Sequence, residues 1–159
     1  MMSIARIYKP RITIRPSEGR LRLFLGGSIT KAPNWQKEIE KEFSDLYVDI
    51  YNPRRDDWDE SWVEDMADKE FNYQVNWELS KLDASDIILL YFDPTTNAPI
   101  SLLELGLYAR SGKLIVCCPI GYYKKGNVDI ICKRFEIPLY EDINKAIDAI
   151  RNKCNKLTK

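Results

Sequence analysis

The sequence predicts an α/β domain built on a doubly wound parallel sheet of about five strands with helices on both faces. Three observations carry this. Strand-like and helix-like segments alternate as β-α-β-α-β-α-β-α-(β)-α, the order that a parallel sheet with crossover helices requires. The runs Ile87–Phe92 and Leu114–Cys118 are continuously apolar, as strands buried on both faces must be. The segments between them keep their apolar residues on single stripes, so each can lie flat on such a sheet.

A chain of 159 residues is one domain by length and large enough for a real core. Residues 21–159 read as that domain, and residues 1–20 as an N-terminal extension or an added edge strand. Arg6–Pro10 and Arg11–Arg15 alternate like short strand pieces before the turn Pro16–Gly19. The 24 basic and 24 acidic residues cancel, which argues against a nucleic-acid polymer or a membrane surface as partner. No apolar stretch approaches the length of a membrane span, and no signal-peptide core stands at the N-terminus. Cys117, Cys118, Cys132 and Cys154 show no metal-ligand spacing. They read as reduced, buried thiols, so a cytoplasmic protein is expected. Histidine is absent, which excludes Ser-His-Asp and Cys-His mechanisms and His-based metal sites. Proton transfer falls to carboxylates, tyrosine, lysine, cysteine or water. No metal and no cofactor is expected.

Leu21–Leu25 is the first core strand, and Gly26-Gly27-Ser28 reads as a tight turn towards a helix starting near Pro33 or Asn34. Glycines there would let the backbone approach a ligand, and Ser28 with free N–H groups could hold an oxygen-rich group. A plain turn accounts for the same residues. Trp35, Ile39 and Phe43 recur at helical spacing, and Tyr47–Tyr51 is the second strand, closed by Asn52-Pro53. Arg54 and Arg55 could grip a phosphate or carboxylate, or form a basic turn facing the acidic run Asp56–Glu70. That run matches no calcium-loop pattern; its Trp58 and Trp62 suggest a lid or a subunit contact. In the helix Phe71–Leu82, the core stripe reads as Val75, Leu79 and Leu82, with Trp77 and Glu78 off it. Asp86 is expected to hydrogen-bond the turn that follows.

The central stretch is Ile87–Gly112. Its strand stops at Asp93-Pro94, the loop Thr95-Thr96-Asn97 follows, and Pro99 suits a first helical turn. Ile100–Tyr108 is apolar almost throughout except at Glu104, which shares a face with Ser101 and Tyr108. One carboxylate is thus presented from buried surroundings at the sheet edge where open α/β proteins bind ligands. A structural reading makes Glu104 a cap or half of an ion pair. The helix N-terminus favours its ionised form and the apolar neighbours oppose it, a balance the sequence leaves open. Beyond Leu114–Cys118, Asn127 reads as the N-cap of the helix Val128–Phe135, and Asp142–Leu157 closes the domain. The whole order is that of flavodoxin or the Rossmann group.

Asp93-Pro94-Thr95 and Ser101-Leu102-Leu103-Glu104-Leu105-Gly106, with Trp77-Glu78-Leu79 and Ala84-Ser85-Asp86 upstream, resemble the nucleoside 2-deoxyribosyltransferase family, in particular its deoxyribosyltransferase-like branch. The likeness runs roughly from Leu21 to Leu139. It implies that Glu104 is the nucleophile and that Glu78 binds the nucleobase. Leu23–Ile29 is similar to the family's first-strand element, so Gly26, Gly27 and Ser28 would line the nucleoside site, with Phe24 where many relatives carry tyrosine. Asn127 would reach the sugar in a neighbouring subunit's site, which implies a homo-oligomer, dimer or higher, with shared sites. Relatives often place a second Asp six residues before the nucleophile. Here that position is Ala98, so sugar binding or proton transfer passes to Asp93 and Asn97, with Ser101 on the same helix face as Glu104.

Cleaving an N-glycosidic bond builds oxocarbenium character that a carboxylate can stabilise or trap as a glycosyl ester. The expected activity is therefore transfer of 2-deoxyribose from a 2'-deoxynucleoside to a free nucleobase through Glu104. Two alternatives remain: a hydrolase of deoxynucleosides or their 5'-monophosphates, the latter held by Arg54, and a non-catalytic nucleotide sensor. A sensor has no need of the isolated carboxylate.

Overall fold

The computed structural model describes residues 4–11, 19–57 and 61–157. Trp58 and most of the Arg11–Arg15 alternation lie outside them. Among the described residues, strands and helices alternate as β1 (Arg6–Tyr8), β2 (Leu21–Gly27), α1 (Trp35–Glu42), β3 (Val48–Tyr51), α2 (Lys69–Ala84), β4 (Ile87–Tyr91), α3 (Pro99–Tyr108), β5 (Leu114–Cys117), α4 (Lys125–Arg134), β6 (Leu139–Tyr140) and α5 (Ile143–Leu157). All pairings are parallel, in the order β1-β3-β2-β4-β5-β6. The doubly wound sheet is as expected, and the short edge strands β1 and β6 bring it to six strands.

Strand alternation divides the core in two. Leu23, Leu25, Ile87, Leu89, Ile115 and Cys117 face Trp35, Ile39 and Phe43 from the α1 side and Ile147, Ile150 and Cys154 of α5. Phe24, Ile88, Leu90, Phe92, Val116 and Cys118 face Leu82 of α2, Leu105 of α3, and Val128 and Cys132 of α4. Because both faces are covered, a polar residue has no place in the middle of β4. The connections reverse direction between β2 and β4, and the crevice beyond their carboxyl ends is the switch point where such sheets bind ligands.

Several local expectations are corrected. Gly26 and Gly27 belong to β2 rather than to a turn, since pairing with β4 continues to Gly27 opposite Tyr91. In α2 the inward stripe is Gln74, Glu78 and Leu82, with Trp77 packed on the core, whereas Leu79 is exposed. Turning the helix by about one residue half-buries the indole, which covers more apolar area than Val75 or Leu79 could. Asp86 binds across the sheet instead of its own turn: its Oδ2 accepts from the Arg22 N–H at 2.8 Å. Asn127 is not an N-cap. Helix α4 begins at Lys125, and the Lys125–Asp129 pair, 2.9 Å apart, spans its first turn, leaving Asn127 exposed inside the helix. Tyr122, in the loop after β5, is buried; its ring lies 5.0 Å from Phe92 and its hydroxyl donates to the Asn97 carbonyl at 2.6 Å.

Candidate active site

Two loops are knitted together at the switch point. After β2, the Ser28 N–H donates to the Tyr91 carbonyl at 2.9 Å. The Ser28 hydroxyl accepts from the Asp93 N–H at 2.9 Å and lies 2.6 Å from the Thr96 hydroxyl. Trp35 braces the same turn from α1, with Nε1 donating to the Ser28 carbonyl at 2.8 Å and its ring edge-on to Tyr91 at 5.1 Å. Ser28 thus spends its hydroxyl inside the protein, holding the β4–α3 loop against β2.

Asp93 begins that loop and is buried. Its Oδ1 accepts from the Thr95 N–H at 2.8 Å and the Thr95 hydroxyl at 2.5 Å, a local Asx-type turn. Among the described residues its Oδ2 receives only a long bond from the Tyr91 hydroxyl, at 3.4 Å. Burial and the nearby Asp93 carboxylate push Tyr91 up to about 12, so this phenol keeps its proton and acts as a donor. Tyr91 escapes a reading of the sequence that treats Ile87–Phe92 as uniformly buried. The signal for it is position: at the strand's last residue and two before Asp93, its polar tip reaches the loop.

Helix α3 then presents its carboxylate. Ala98 precedes Pro99 in the left-handed region at φ 45°, turning the chain sharply into the helix. Ser101 and Glu104 are buried one turn apart. The Glu104 side chain makes no hydrogen bond among the described residues, so the capping or ion-pair reading of it has no support there. Burial raises its carboxyl to about 8, with the charge of Glu78 adding to the effect. The open balance between helix N-terminus and apolar neighbours therefore falls to the neighbours. Glu78, from α2, is raised to about 7 by burial, opposed by a hydrogen bond from Gln74. Two carboxyls from different helices thus lie close enough for the charge of Glu78 to act on Glu104, both with proton affinities near neutrality, the arrangement in which one can be charged while the other holds a proton.

The remaining candidates are placed differently. Asn97 is exposed beside this loop. Arg54 turns to the β2–α1 connection: its guanidinium donates to the carbonyls of Ala32 and Pro33 and to Gln36 Oε1 at 2.9–3.1 Å. Arg55 pairs with Asp57 at 2.7 Å and Glu70 at 3.4 Å and stacks on the half-buried Trp62. It is the basic turn facing the acidic run. Gly26 and Gly27 let β2 and β4 approach: a Cβ on Gly27 would lie 2.2 Å from the Tyr91 carbonyl oxygen. Among the described residues, no group of three or more His, Cys, Asp or Glu side chains could hold a metal ion. No helix among them is long and apolar enough to cross a membrane.

A family model described as "Nucleoside 2-deoxyribosyltransferase like" matches residues 20–122, about two thirds of the chain. The span runs from β2 to just beyond β5 and includes Ser28, Glu78, Asp93 and Glu104, but not Asn127. No curated protein matches the chain.

Proposed function

Because the chain belongs to the nucleoside 2-deoxyribosyltransferase-like family, which implies nucleoside and nucleobase substrates, we propose that it transfers 2-deoxyribose between nucleobases through a covalent ester on Glu104. The observation that carries this reading is a buried carboxyl without a hydrogen-bond partner among the described residues, within electrostatic reach of a second carboxyl at the switch point of the sheet. A Glu104 oxygen attacks C1' of the deoxynucleoside as the C1'–N bond breaks. The bond's electron pair stays on the base nitrogen. Of the two carboxyls Glu104 holds a proton more tightly, about 8 against about 7, so the pair's single proton passes from Glu104 to Glu78, which delivers it to the departing base. In the second half, an acceptor base attacks C1', its proton passes to Glu78, and Glu104 leaves as a carboxylate. Asp93 and Asn97 hold the sugar hydroxyls, with Ser101 and the Gly26-Gly27-Ser28 edge as the floor of the site.

Incubation with deoxynucleosides and their 5'-monophosphates, with and without a second free base, tests this. The expected result is base exchange, undiminished in excess EDTA. Free deoxyribose as the main product, even with acceptor base present, would make the protein a hydrolase. A preference for monophosphates would require the Arg54 guanidinium to leave its present carbonyl partners. Binding without turnover would leave only a sensor.

The working unit in this reading is a homo-oligomer. Ile100, Leu103 and Leu107 form an exposed apolar stripe on α3, each more than half exposed, with Tyr123 and Ile130 also open to solvent. A second copy on this side would cover that area and bring its exposed Asn127 towards the sugar. Glu104→Ala and Asn127→Ala should each be inactive. Mixed under subunit exchange, a dimer should regain about a quarter of wild-type activity, since one site in each mixed dimer is whole. A monomer in sedimentation, or a mixture still dead after proven exchange, would exclude shared sites. All four cysteines are buried and free, which supports a cytoplasmic placement.

A further inference from the structure

Glu78 does not stand alone on the inner side of α2. Gln74, one turn earlier, is buried, and its amide nitrogen reaches two acceptors: the Pro53 carbonyl at 3.1 Å and Glu78 Oε1 at 3.3 Å. The Gln74 amide oxygen is buried without a partner among the described residues. Its orientation follows from these contacts, because turning the amide over would set an oxygen against both acceptors. An orphaned buried carbonyl is destabilising, and methionine would fill the same space without it. Packing alone therefore does not account for a glutamine here.

We propose that Gln74 is a positioning residue, anchored on the Pro53 carbonyl, whose amide fixes the rotamer and the charge state of the Glu78 carboxyl beside Glu104. The inference rests on the reading of Glu78 as the group at the leaving base. An N–H can only donate, so it favours carboxylate over carboxylic acid. Burial acts the other way. From the segment after β3 the Pro53 carbonyl enters, while the Arg54 guanidinium is turned towards Ala32, Pro33 and Gln36. Gln74 thus keeps Glu78 able to give its proton to a departing base and to recover one from the acceptor.

The test is an NMR titration of the full chain carrying 13C-labelled glutamate and 15N-labelled glutamine. In Gln74→Met the Glu78 carboxyl should titrate about one pH unit higher than in wild type, a tenfold gain in proton affinity. The pH–rate profile should shift along the pH axis with it, whereas a merely structural loss would lower the rate equally at every pH. In wild type, the Gln74 side-chain NH2 signal should follow the Glu78 titration, a measurement that stands even if Gln74→Met does not fold. An unmoved Glu78 midpoint in a folded Gln74→Met protein, or a Gln74 amide blind to that titration, would overturn the proposal. The titrations need no turnover, so inactivity towards every deoxynucleoside would sink the proposed reaction and leave this inference separately readable.

Discussion

Glu104→Gln should lower deoxyribosyl transfer by on the order of a thousandfold or more while the protein stays folded. The amide keeps the volume of the side chain and cannot form the ester. Intact mass spectrometry of wild type with a deoxynucleoside should show a deoxyribosyl adduct that is absent in the variant. Full activity in Glu104→Gln would remove the nucleophile from this account. Wild type should give a bell-shaped pH–rate profile with its optimum between about 7 and 8, where the Glu78–Glu104 pair holds one proton. Stability runs the other way. Burial raises both carboxyls above their ordinary value of 4.5, so the folded protein binds these protons more tightly than the unfolded chain. The stability this contributes is complete below about 4.5 and is lost as pH climbs through about 7 and 8. Glu104→Gln cannot ionise, so by calorimetry its Tm should exceed that of wild type at pH 9. A variant less stable than wild type at that pH would contradict the burial account.

Gly27→Ala should destabilise the protein by about 3 kcal/mol, or roughly 6–12 °C in Tm. Gly27 sits at φ 132°, which side chains rarely adopt, and its new Cβ would lie 2.2 Å from the Tyr91 oxygen and 2.7 Å from the Tyr91 nitrogen. Both are backbone atoms of β4, so relief requires separating two central strands where the Ser28 N–H reaches the Tyr91 carbonyl. Gly26→Ala is the control. Its Cβ would meet the end of the Leu90 side chain at 2.6 Å, a group that can change rotamer, so about 1 kcal/mol is expected. Equal Tm values for the two variants, measured by thermal unfolding, would show that close approach of β2 and β4 is not what the second glycine serves.

The parallel sheet is legible in the sequence because burial on two faces leaves a direct trace: Ile87–Phe92 and Leu114–Cys118 admit no polar residue. The stripe of Trp35, Ile39 and Phe43 is equally legible, since all three meet one layer of the core. Glu104 stands out for the same reason, as the one charge in an apolar helix. Rotation of α2 is not legible. Val75, Leu79 and Leu82 form as good a stripe as Gln74, Glu78 and Leu82 until Trp77 finds its place over the sheet. Helix α4 begins early, at Lys125, and Asn127, whose side chain suits a cap, is carried into its first turn.

Residue types and their spacing are local properties, and they determine strands, helices and the presence of a lone carboxylate. What the sequence does not contain is which side chains from separate elements share one small volume. That the charge of Glu78 is felt by Glu104, that Gln74 reaches Pro53, and that Arg54 is spent on Ala32 and Pro33 follow only once the helices are docked on the sheet. Proton affinity is set there too. Desolvation depends on everything packed around a carboxyl, and a linear pattern cannot sum neighbours that arrive from three different helices and loops.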